Sequence, residues 1–149
     1  MKPEIRYAMR SEPNLGQRIG LRLADILWHR HFEIAELAGA VIWALWALVL
    51  LNPWAATFSS SIAFRVMSSL APEWVWGCTA LTLAANEFAA MTAERRWWRI
   101  IAAGLLFAWA LFVGSMLGLS NPVGTGAAVY TSVGLLSLFA FLRAFREPA

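Results

Sequence analysis

From residue 34 onward the chain alternates long apolar runs with short polar breaks, and nearly all of its charge sits in the breaks or before the first run. The first run has an apolar core from Leu37 to Leu51 and continues past Pro53 through Trp54 to Phe58. The second opens at Ala71, Pro72 and Glu73, where proline suits a first helical turn and a carboxylate complements the positive helix end, and runs to about Met91. The third extends from Ile100 to Leu119 and ends in the Asn121–Pro122 turn, and the fourth runs from Val123 to Leu142. About 20 residues at ~1.5 Å each match a hydrocarbon core of ~30 Å. The pattern predicts an all-α membrane protein with four transmembrane helices, at about 34–56, 72–92, 98–119 and 123–142, arranged as two helical hairpins.

The segment before the first run follows another rule. Residues 1–14 are polar, contain Pro3 and Pro13 and have no period; Asn14 then suits a helix cap. Leu15, Ile19, Leu23, Ile26 and Leu27 recur on one helical face while Arg18, Arg22, Asp25 and His29 line the other, which predicts an amphipathic helix on the cytoplasmic membrane surface. The expected organisation is a cytoplasmic tail and interfacial helix (1–33), a four-helix transmembrane domain (34–142) and a cytoplasmic tail (143–149). Between the first two spans, Ser59 to Ser61 offer caps for a short helix in which Ile62, Val66 and Leu70 share a face away from Arg65, expected to lie along the outer interface.

Composition supports lipid as the solvent. Of 149 residues, 14% are charged and 60% hydrophobic, too few polar side chains to cover a water-soluble globule. The net charge of +3 would suit nucleic acid only if it formed a clustered basic face, and instead the basic residues cluster at the ends of apolar runs. Lys2, Arg6, Arg10, Arg18, Arg22, Arg30, Arg95, Arg96, Arg99, Arg143 and Arg146 fall on one side of the expected topology and Arg65 alone on the other, eleven of twelve. The positive-inside rule therefore places both termini in the cytoplasm, with a bacterial inner membrane as the expected location. The early basic residues break up any signal-peptide core, so no cleaved leader is expected. Cys78 is the single cysteine, which excludes an internal disulfide and a thiolate cluster.

A few polar groups inside the runs are candidates for chemistry. Glu87 lies about one turn inside the cytoplasmic end of the second span, where a carboxylate is expensive and is either paired or functional; the expected role is an interfacial ion pair with Arg95 or Arg96, with a proton or cation site as the alternative. Thr79, Thr82 and Asn86 form a polar stripe on the same helix, read as interhelical glue before a wetted face. His29, Glu33 and Glu36 share a helical face at the cytoplasmic interface, where solvation rather than metal binding is expected, because one helix rarely completes a coordination shell. Trp97 and Trp98 beside Arg95, Arg96 and Arg99, with Trp74 and Trp76 at the other end of the second span, outline aromatic belts. Ala110, Gly114 and Gly118, and Gly126 and Gly134 on the next helix, form flat strips for helix packing within the chain or between copies.

No nucleophile triad, phosphate loop or paired-cysteine motif is present, so neither an enzyme nor a cofactor is expected. By span count and size alone, the architecture resembles phage holins and small four-helix multidrug exporters. The resemblance implies a self-associating or pore-forming assembly in the bilayer, the first expectation. An accessory or scaffold subunit recruiting a partner through the amphipathic helix is the second, and a small ion-coupled transporter using Glu87 the third. Against the exporter likeness, those proteins carry their carboxylate deep in the first span, whereas Glu36 stands at its start.

Overall fold

The computed structural model describes residues 15–21, 33–54, 57–93 and 95–146, and all regular structure among them is helical. Residues 15–21 are helical, with Leu15 and Leu21 exposed; the rest of the expected amphipathic segment, His29 included, lies outside the described residues.

Four long helices follow: α1 (Glu33–Leu51), α2 (Glu73–Thr92), α3 (Arg96–Ser120) and α4 (Thr125–Arg146). The first expected span reached residue 56, but α1 stops at Leu51. Pro53 has no N–H to continue the ladder, and the Asn52 side chain accepts the Trp54 amide at 3.1 Å, which turns the chain out of the helix.

The connection from α1 to α2 is folded rather than loose. It contains the short helices Thr57–Ser60 and Arg65–Leu70 with a 3-10 turn, Ile62–Phe64, between them. Ser61 caps that turn by accepting the Ala63 amide at 3.3 Å, as a serine in that position should. Glu73 stands in the first turn of its own helix as expected, and it also reaches back to accept the amides of Thr57 and Phe58 at 3.1 and 3.3 Å. Val66 donates its amide to Ser120 Oγ at 3.0 Å, which ties the connection to the far end of α3. Phe58 and Met67 turn inward, and Phe58 stacks on Phe64 at 5.1 Å between ring centroids.

The long helices form an antiparallel bundle of two hairpins. α1 packs extensively on α2, and α3 on α4; the hairpins meet more sparingly, α2 against α3 and α1 against α4. Small residues set the close approaches within each hairpin. A Cβ on Gly77 would lie 2.8 Å from Leu51 Cγ, and one on Gly114 would lie 3.3 Å from Thr131 Oγ1 and 3.5 Å from the Thr131 amide. Likewise a Cβ on Gly134 would lie 3.3 Å from Ala110 Cβ, one on Gly118 3.5 Å from Ala127 Cβ and one on Gly126 3.4 Å from Leu117 Cδ1. The strips of α3 and α4 therefore pack against each other inside one chain.

Three of the helices are long and apolar enough to cross a membrane, over Ile34–Leu51, Arg96–Ser120 and Thr125–Arg146. Their outward faces carry exposed Leu45, Leu48, Leu105, Leu135 and Phe139, which suit acyl chains rather than water. These features make the chain a membrane-integral protein. α2 has 20 residues, about 30 Å of helix, but Asn86, Glu87 and its tryptophans lower its hydropathy below that of the other three.

Candidate functional site

The polar heart of the bundle lies near the end where α1 and α3 begin and α2 and α4 finish. Arg96, in the first turn of α3, donates from Nε to the Ala144 carbonyl at 3.2 Å and from Nη2 to the Phe145 carbonyl at 2.6 Å. A guanidinium thus closes the C-terminal end of α4, where carbonyls lack intrahelical partners.

One turn further in, Arg99 turns into the bundle. Its Nη2 donates to Glu36 Oε1 at 2.7 Å and its Nε to Glu36 Oε2 at 3.1 Å, a forked pair between α3 and α1 with both side chains buried. Fork geometry makes this the strongest common form of ion pair, and burial makes it costly to break. From α2, Glu87 enters the same cluster. It is 1% exposed, its Oε2 has no hydrogen-bond partner, and Glu36 and Arg99 are the charges that act on it.

The structure therefore corrects three expectations. Glu87 is not an interfacial partner of Arg95 or Arg96: Arg95 is exposed, Arg96 serves the end of α4, and Arg99 is the buried guanidinium. Glu36 does not belong to a solvated group with Glu33 and His29, because it is buried against Arg99. The threonine stripe is not glue between helices. Thr79 and Thr82 donate to carbonyls of their own helix, Val75 and Cys78, at 2.8 and 2.9 Å, which leaves Asn86 as the interhelical member; its Oδ1 accepts Trp98 Nε1 at 3.0 Å.

Buried small and apolar side chains stand close to the cluster along each helix. Ala40 and Met91 are buried one turn from Glu36 and Glu87 on their own helices. On α4, buried Ser137 donates to the Val133 carbonyl at 3.2 Å, and its Oγ would lie 3.7 Å from a Cβ on Gly39. The site thus draws carboxylates from α1 and α2 and a guanidinium from α3. Among the described residues no group of histidine, cysteine and carboxylate side chains is arranged to hold a metal ion.

Deeper in the bundle the tryptophans divide. Trp54, Trp74, Trp97 and Trp98 are exposed, as belt residues should be, but Trp76 is buried. It lies 5.6 Å from Trp109 and 5.8 Å from Phe112 between ring centroids; Trp43 in turn lies 5.3 Å from Trp46, 6.3 Å from Trp109 and 5.5 Å from Tyr130. This aromatic cluster, which spans all four helices, was not anticipated. The indole N–H groups of Trp43 and Trp109 are buried in it without an acceptor. Beside it, a crevice of about 340 Å³ opens between α2 and α3, lined by Thr79, Leu83, Leu105, Ala108, Trp109 and Phe112.

No protein family matches the chain, and comparison with curated proteins and with solved structures finds no match either.

Proposed function

We propose that the chain is a four-span protein of the cytoplasmic membrane with both termini in the cytoplasm, and that it is a small ion-coupled transporter in which Glu87 is the proton-binding carboxyl. The observation that carries this reading is a fully buried carboxylate whose Oε2 has no partner, set beside an ion pair that already satisfies Glu36. Burying a second carboxylate there costs several kcal/mol if it is ionised, about 2.5 to 3.5 even on insertion scales, and a structural role would be filled as well by glutamine. Ionisable groups inside spanning bundles ordinarily mark proton relays or ion paths.

In support of a fourth span, α2 packs on both α1 and α3, its Glu87 is buried among protein, and its half-buried Asn86 is bonded to Trp98. Arg95, Arg96, Arg143 and Arg146 at one end and Arg65 at the other support the orientation. A self-associating or pore-forming assembly, expected from span count and size, gains no support from the small-residue strips, since these face each other inside the chain.

The test is proton uptake into pyranine-loaded proteoliposomes driven by a potassium diffusion potential, with release of entrapped carboxyfluorescein measured in parallel. Uptake by wild type that falls to the protein-free background in Glu87→Gln is the expected result. Equal uptake by both proteins overturns the assignment, and release of the dye identifies a pore.

A further inference from the structure

Arg99, on the α3–α4 hairpin, pairs with Glu36 and acts electrostatically on Glu87, and those two carboxylates belong to the other hairpin. The cluster therefore lies across the seam between two internally well-packed halves, at the less extensively packed contact in the bundle. Packed hairpins move as units more readily than single helices deform, and a seam with two alternative ion-pair arrangements can hold two positions. Here the seam offers such alternatives: one guanidinium fork and two carboxylates, of which one is doubly bonded and the other has a free oxygen.

Resting on the reading of Glu87 as a proton site, we propose that Arg99 is its positioning residue, exchanging its fork between Glu36 and Glu87 as a proton passes the other way, so that proton location sets the register of the two hairpins. In the arrangement seen, Arg99 neutralises the Glu36 carboxylate and the proton resides on Glu87. In the alternative, Glu87 gives up its proton and takes both N–H donors of Arg99, while Glu36, losing those donors, takes up one proton. The cluster holds one guanidinium, one carboxylate and one carboxylic acid in both states. The charges of these three side chains sum to zero in both states, which favours keeping them buried. On α4, buried Ser137 keeps its hydroxyl on the Val133 carbonyl. The Trp98–Asn86 hydrogen bond crosses the same seam and moves with it.

Two isosteric variants trap the two states. Glu87→Gln leaves Glu36 as the only carboxylate and holds Arg99 where it is seen; Glu36→Gln leaves only Glu87. Spin labels at Leu45→Cys on α1 and Leu105→Cys on α3, both exposed positions, in a Cys78→Ser background, report the separation of the hairpins by pulsed electron resonance. The expected result is two distance distributions whose means differ by about 1–2 Å or more, the scale of helix shifts at switching interfaces, with wild type dominated by the Glu87→Gln distribution. In Arg99→Lys, which has no fork, the same glutamine substitutions should separate the distributions less. Identical distributions in the two glutamine variants overturn the exchange, and so does a Glu36→Gln protein that fails to fold, since Glu87 is then no substitute partner. Proton uptake in the same variants separates the two readings. Glu87-dependent uptake with unmoved distances removes the exchange and keeps the transporter, whereas moved distances without uptake keep the exchange and remove the transporter.

Discussion

Arg99 holds Glu36 through both carboxylate oxygens, at 2.7 and 3.1 Å, and so ties the first turn of α3 to the first turn of α1 inside the bundle. Removing one member of a buried pair leaves the other uncompensated and costs about 3–5 kcal/mol. Arg99→Met should therefore lower the unfolding midpoint in detergent strongly, and Arg99→Lys less so because the charge remains. The triple variant Arg99→Met, Glu36→Gln, Glu87→Gln removes the charges together and should recover most of the loss. Thermal unfolding followed by circular dichroism checks this. A triple variant no more stable than Arg99→Met would show that the three side chains do not act as one compensated unit.

Trp43 is wholly buried, yet its indole N–H has no acceptor. Deleting the ring, in Trp43→Ala, opens a cavity and should cost about 3–5 kcal/mol. Trp43→Phe keeps part of the aromatic packing and removes the orphan donor, whose desolvation itself costs about 1–3 kcal/mol. The phenylalanine variant should thus unfold much closer to wild type than the alanine variant. Equal losses would mean that the indole N–H is satisfied in the membrane.

The orientation is tested by reporters active only outside the cytoplasm. Fusions after Ser61 and Asn121 should be active, and fusions at Thr92 and Ala149 silent. Activity at Ala149 would overturn either the span count or the orientation; activity at Thr92 would place α2 outside the set of spanning helices.

Much of the site was within reach of the sequence, but the signal was register rather than residue type. Glu36 falls in step with Ala40, Trp43, Ala47 and Leu50, Arg99 with Ala103, Leu106, Ala110, Val113 and Leu117, and Glu87 with Ala80, Ala84 and Met91, all buried. Steps of alternating three and four residues mark the inner seam of a helical bundle, so each charge had to point inward. Reading the same residues by their distance from a helix end assigned Glu36 and Arg99 to the interface and paired Glu87 with the nearest arginines in sequence. Three of the long helices fall within four residues of their expected bounds, because apolar runs and breakers act locally, whereas the first ends at Leu51, short of the expected residue 56. Which arginine meets which glutamate depends on how two hairpins dock, and that is not a local property.

The strips of α3 and α4 give the last prediction. A Cβ on Gly114 would already be tight against Thr131 Oγ1 at 3.3 Å and in contact with the Thr131 amide at 3.5 Å and the Ala127 carbonyl at 3.6 Å, with no space for a larger side chain beyond it. Two of those atoms are backbone and cannot rotate aside, so Gly114→Leu must push α4 away from α3. Overpacking of this kind costs about 1–3 kcal/mol, and the added leucine favours insertion, so any loss reflects packing rather than failure to enter the membrane. Leu119→Ala, on an exposed position of the same helix, is the control and should be near neutral. Pairing Gly114→Cys with Thr131→Cys in the Cys78→Ser background should give an oxidised product that migrates as a monomer, because both positions lie on one hairpin. Covalent dimers through position 114 would instead place the strip between copies and restore the self-associating reading. Unchanged stability in Gly114→Leu would mean that the strip faces lipid, which the contact with Thr131 contradicts.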